Sequence, residues 1–93
     1  MHIAALHVDL EISDGQTLKD KRQVIRSLLD RLRNRFNVSA AEVGNNDSVR
    51  YATLAAVGVA NERQFLDGVM EKVADLIERE PRVVILSQEL EFL

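Results

Sequence analysis

The chain predicts an α+β domain of order βαββαβ, a four-stranded antiparallel sheet with two helices on one face. Three observations carry this expectation. Residues 6–12 alternate apolar and polar, residues 18–36 and 61–80 place apolar residues at three- and four-residue steps, and turn-forming clusters (SDGQ at 13–16, GNNDS at 44–48) stand between patterned segments. Ninety-three residues make a single domain, 1–93, enough to bury roughly 60 to 65% of the unfolded chain's surface without a disulfide or metal staple.

In the first strand Leu6, Val8, Leu10 and Ile12 form the core face, and His7, Asp9 and Glu11 the other. After the SDGQ turn, Thr17 with Asp20 three places on forms an N-cap and an aspartate version of the capping box. The helix that starts near Leu18 carries Leu18, Val24, Ile25, Leu28, Leu29, Leu32 and Phe36 as one apolar stripe, and ends near Arg35 or Phe36. Val38 to Val43 is a short second strand, and GNNDS, rich in residues that tolerate positive φ, turns the chain back into a hairpin. Val49 to Ala60 is the third strand, apolar on both faces and therefore central; its bulkier odd positions, Tyr51 among them, are expected to face the core. Asn61 is the expected cap of a second helix whose stripe is Phe65, Leu66, Val69, Val73, Leu76 and Ile77, and Pro81 ends it. Arg82 to Phe92 is the last strand, with Val84, Leu86, Leu90 and Phe92 on one face and Ser87, Glu89 and Glu91 on the other. This split order is that of ferredoxin-like domains, with the first and third strands in the centre. One sheet face is then left uncovered, and Ile3, Ala5, Leu54, Ala56, Val83 and Ile85 are the candidate protein-interface residues on it, for a homodimer above all.

Composition narrows the chemistry. No cysteine is present, which removes disulfides, thiolate nucleophiles and zinc knuckles and agrees with a cytoplasmic location. The start MHIAALHVDLEI soon carries Asp9 and Glu11, so neither a signal peptide nor a membrane span is expected. His2 and His7 differ by an odd step and point to opposite faces of one strand, so they cannot chelate together. Asp9, Glu11, Glu89 and Glu91 share the open face, where solubility is the expected role rather than acid-base or hard-cation chemistry. No metal site, cofactor, small-molecule substrate or catalytic set is expected.

The charge is unevenly placed. Net charge is -3, yet LKDKRQVIRSLLDRLRNRF, residues 18–36, holds seven of the twelve Lys and Arg against two of the fifteen acids. At about 100° per residue, Lys19, Arg22, Arg26 and Arg33 fall on one edge of the apolar stripe and Lys21, Arg31 and Arg35 on the other. Such borders serve side chains whose stems cover apolar surface, and they equally serve phosphate contact, because arginine presents a planar fork to phosphate oxygens. Lys19, Lys21, Arg22, Arg26 and Arg33 are the candidate nucleic-acid contacts.

The stretch TLKDKRQVIRSLLDRLRNRFNVSAAEVGNNDS, followed by ATLAAVGVAN, resembles the YlxP-like family of small uncharacterised bacterial proteins. LKDKR, the SLLDRLRNRFNVS run with AEV after it, and Asn61 carry the likeness. The resemblance implies a ferredoxin-like fold and no known activity, and the family's genes often neighbour those of translation initiation factor two and ribosome-binding factor A. The chain departs from the pattern after Asp47, where Ser48 and Val49 replace a large aromatic, and at Ala55-Ala56, where a Leu-Gly pair is typical.

A noncatalytic cytoplasmic protein that associates with RNA or a ribosomal subunit through the first helix is the expectation, and a homo-oligomeric module using the uncovered sheet face is the alternative. An RRM-like mode needs aromatics on the open face of the central strands, and only His7 is expected there. An acylphosphatase-like enzyme would hold phosphate near SDGQTLKDKR, but that segment lacks a glycine-rich cradle and carries Asp14 and Asp20.

Overall fold

The structure, a computed structural model, describes residues 1–14 and 16–93; Gly15, within the expected SDGQ turn, lies outside them. The elements are β1 (His2–Ile12), α1 (Leu18–Arg35), β2 (Ser39–Gly44), β3 (Tyr51–Ala60), α2 (Arg63–Glu78) and β4 (Val83–Phe92). The strands form one antiparallel sheet in the order β2-β3-β1-β4. Ala4, Leu6, Val8 and Leu10 of β1 and Ala52, Leu54 and Ala56 of β3 join the stripes of both helices in one buried cluster. The fold is ferredoxin-like, with β1 and β3 central as expected.

Thr17 closes the capping box with Asp20: its hydroxyl accepts from the Asp20 N–H at 3.1 Å, while the Asp20 carboxylate accepts from the Thr17 N–H at 3.2 Å. The second cap differs from expectation. Glu62, not Asn61, occupies it and makes no side-chain cap bond. The buried face of α2 is Leu66, Met70, Val73, Leu76 and Ile77, whereas Phe65, placed in the stripe from sequence, is 67% exposed.

Two strand assignments are corrected. On β3 the even positions Ala52, Leu54, Ala56 and Gly58 face the helices and the odd ones face away; at Gly58 α2 lies so close that a Cβ would stand 3.0 Å from Leu66 Cδ1 and 3.1 Å from Met70 Cε. Bulk is excluded where layers approach most closely. On β4 the alternation reverses: Leu10 pairs with Ile85 and Asp9 with Ser87, leaving Leu86 as an extra residue. This bulge turns Val83 and Ile85 inward before it and Leu90 and Phe92 inward after it.

Two ion clusters tie the helices to distant parts of the chain. Lys21, expected at the surface, is 0% exposed, with its ammonium 2.8 Å from Glu42 Oε2 and 2.5 Å from the Asn45 carbonyl. Its hydrogen bond goes to that carbonyl; the contact with Glu42 is coulombic, and Glu42 Oε2 has no hydrogen-bond partner among the described residues. Asn45 adopts φ 60°, and its carbonyl also accepts from the Ser48 N–H at 3.0 Å, so the hairpin turn expected at GNNDS is present and anchored to α1. The Lys21 position is legible in hindsight: Val24, Ile25, Leu28 and Leu32 follow it at helical spacing, so it sits within the apolar stripe.

Glu80, also buried, accepts from Arg31 Nη2 at 2.6 Å, from Arg82 Nη2 at 2.8 Å and Nε at 2.9 Å, and from the Arg82 N–H at 3.0 Å. The Arg82 side-chain hydrogen bonds hold its carboxyl well below the usual range, to about 2, against the opposing effect of burial and with help from Arg31. The cluster joins α1 to the start of β4.

Lys21→Met should lower stability by about 3 kcal/mol in urea denaturation, because Glu42 loses its partner, and Glu42→Leu in the same chain should restore most of that loss. The depressed Glu80 pKa stabilises the fold above about pH 4.5, and this contribution is lost as pH falls from 4.5 toward 2. Its size is at most roughly 3 kcal/mol, reduced by solvent around the half-exposed arginines. Denaturation across that range should show Glu80→Gln less stable than the parent at neutral pH, with the gap closing toward pH 2.

Candidate functional site

The cations of α1 divide between two flanks with different fates. Arg33 Nη2 donates to the Ala40 carbonyl at 2.6 Å, which places its flank over β2. Arg31, on the other flank, reaches Glu80 beyond the end of α2. Of the five cations singled out from sequence, Lys21 is withdrawn into the core, and Lys19, Arg22, Arg26 and Arg33 remain exposed on the β2 flank. Among the described residues Lys19, Arg22 and Arg26 make no ion pair, and Arg33 has only Asp30 at 3.7 Å. The row spans about 21 Å of helix axis at 1.5 Å per residue, a length over which successive phosphates of a nucleic-acid strand can be met.

The acid nearest the start of this row is already engaged. The Asp20 carboxylate accepts from the backbone N–H groups of Gln16 and Thr17, so the helix N-terminus holds its own anion. Lys21 is turned toward the β2–β3 hairpin and is therefore not available to an anion at the helix start. The row, not the helix N-terminus, is the candidate anion contact.

The uncovered sheet face is composed differently from expectation. Ile3 and Ala5 lie on it, but Leu54, Ala56 and Val83 are buried against the helices and Ile85 packs on that same core, for the β3 and β4 reasons given above. Its exposed apolar residues instead include Val57, Val59 and Val84. Tyr51, expected inward, is 39% exposed on this face beside Arg50, whose guanidinium lies 5.5 Å from the ring centroid. The open face therefore carries one exposed aromatic on β3 in addition to His7 on β1.

A polar ladder crosses this face. Asn45 Nδ2 donates to Thr53 Oγ1 at 3.1 Å, Thr53 Oγ1 donates to Asp9 Oδ1 at 2.7 Å, and Ser87 Oγ donates to Asp9 Oδ2 at 2.9 Å. The Thr53 hydroxyl, then that of Ser87, holds the Asp9 carboxyl below its ordinary pKa. Glu11 is paired with Arg50 at 2.5 Å. Asp9 and Glu11 are thus each engaged by different partners rather than coupled as an acid-base pair. Among the described residues no helix is long and apolar enough to cross a membrane, and no group of three or more metal-ligating side chains converges.

Comparison with known proteins agrees with this architecture and with the family resemblance. In solved structures, the de novo designed protein Foldit4 superposes with a TM-score of 0.55 at 8% identity, covering 100% of this chain and 97% of its own. The structural-genomics protein YJCS gives 0.55 at 13% identity over 96% of each chain. The de novo designed LFR1, described as having a ferredoxin fold, gives 0.50 at 11% identity over 94% of this chain and 84% of its own. These likenesses show the fold. In sequence, the chain is 31% identical over 72 residues to the uncharacterized protein YlxP of Bacillus subtilis (strain 168), covering 77% of this chain and 78% of that protein. The model of a protein family of unknown function, DUF503, matches residues 3–90. The chain belongs to this YlxP-like family, DUF503.

Proposed function

We propose that this protein is a noncatalytic cytoplasmic binder of RNA, ribosomal RNA in particular, and that Lys19, Arg22, Arg26 and Arg33 contact the phosphate backbone. The observation that carries the reading is the division of charge on α1. Acidic partners take up Lys21 and Arg31, whereas the row over β2 is not answered by α2. In a chain of net charge -3, a row whose one acidic contact among the described residues is that of Arg33 with Asp30 acts within about 8 to 10 Å at moderate salt, whatever the total charge. Recognition through these side chains is of backbone rather than base, since arginine forks match phosphate oxygens and carry no sequence information there.

Charge reversal at Arg22 and Arg26 should leave thermal unfolding nearly unchanged. It should weaken binding to isolated ribosomal subunits and to single-stranded RNA, and reduce the slope of log K against log salt by about 1.4, from about 0.7 per lost contact. Identical binding and identical slopes for parent and variant would remove the row from the interface; no binding by the parent at low salt would remove the function.

A second reading rests on Val57 and Val59, exposed beside Ile3 on the open sheet face. Two copies meeting there would form a homodimer, and Val59→Glu should then convert a dimer to a monomer in light scattering, with the fold retained. A monomeric parent at high protein concentration sinks this reading.

A further inference from the structure

A second group of cations converges on the opposite flank of α1. Arg31 and Arg35 of α1 and Lys72 and Arg79 from α2 and its cap line a cleft of about 460 Å³, whose one acidic lining residue among those described is Asp75. Phe36 and Leu76 contribute apolar surface to the same cleft. Arg31 is answered by Glu80, but among the described residues Arg35, Lys72 and Arg79 form no ion pair, even though Asp75 stands three residues after Lys72 and four before Arg79. Helix C-termini favour cations, which accounts for Arg35 and Arg79 one at a time. It does not account for Lys72, in the middle of α2, sharing one concavity with both.

We propose that this cleft binds the phosphate end of a nucleotide, a phosphomonoester or pyrophosphate, with Arg35, Lys72 and Arg79 as its contacts. The charge class follows from three cations facing a single carboxylate, a concentration that a compact dianion answers better than a singly charged diester. The size class follows from the volume, which lies within the roughly 300 to 1,000 Å³ of small-molecule clefts and exceeds what a bare ion needs. Phe36, half-buried, supplies an aromatic surface against which a base can rest beside the phosphate. Glu80 holds the Arg31 guanidinium, so part of the lining is positioned without ligand. The phosphate has two chemical sources, a free nucleotide or the 5′ end of an RNA strand.

The test is calorimetric titration of the full chain at low salt with pyrophosphate, with ADP, and with one short RNA prepared with a 5′-phosphate and with a 5′-hydroxyl. The expected result is saturable binding of pyrophosphate and ADP that falls at least tenfold in the Arg35→Gln/Lys72→Gln variant and is unchanged in the variant reversed at Arg22 and Arg26. Preference for the 5′-phosphorylated RNA, lost in the cleft variant, identifies the RNA end as the source. Equal binding of both RNAs, with ADP binding intact, identifies a free nucleotide. Absence of pyrophosphate and ADP binding at millimolar concentration overturns the site, and so does an equal loss in both variants, which would mark diffuse charge attraction. Glutamine keeps the polar stems, and matching thermal unfolding of the variant shows that lost binding is not lost folding.

Discussion

The burial of Lys21 constrains more of this molecule than any other single contact. A cation in the second turn of a helix opposes the helix dipole, and a fully buried ammonium is costly unless paired. Both costs are met by the β2–β3 hairpin, which brings the Glu42 carboxylate and the Asn45 carbonyl to the same point. Helix position, strand register and turn conformation are thereby coupled: Asn45 must hold φ 60°, β2 must present Glu42 toward the helix, and α1 must start where the Thr17 cap puts it. The LKDKR segment that carries the family resemblance therefore has a structural task, with Asp20 closing the cap and Lys21 closing the hairpin.

Glu80 performs the equivalent task at the other end of the helical layer. It binds Arg31 from α1 and Arg82 at the entry to β4, so the two helices and an edge strand are locked by one carboxylate. Together the two clusters sort the basic helix. Charges that serve the fold are withdrawn or paired, and those left over lie in two places: the row above β2 and the cleft against α2. A basic run in an acidic protein is thus three populations of side chains in three different surroundings.

Close packing sets the other limit. The α2 helix rests closely on β3 at Gly58, with Ala52, Leu54 and Ala56 on the same packed face, so Tyr51, Val57 and Val59 lie on the open face, and the Leu86 bulge places Val84 there as well. That face is consequently more apolar and more aromatic than a reading by residue bulk implies. The Asn45–Thr53–Asp9–Ser87 ladder crosses it and fixes the relative position of the central strands and the β4 edge.

Local chemistry alone determined the order βαββαβ, the Thr17 capping box, the hairpin at GNNDS, the apolar stripe of α1 and the family resemblance. Each depends on residues within a few positions of one another, where spacing and backbone preference suffice. Tertiary structure alone decided which face of β3 is packed, where β4 reverses its alternation, and which of the α1 cations remain unpaired. Those outcomes depend on how closely layers approach and on partners far along the chain, 21 residues from Lys21 to Glu42 and 49 from Arg31 to Glu80. Alternation shows that a strand has two faces but not which one meets a helix, and composition counts charges but not the carboxylates that folding brings to them.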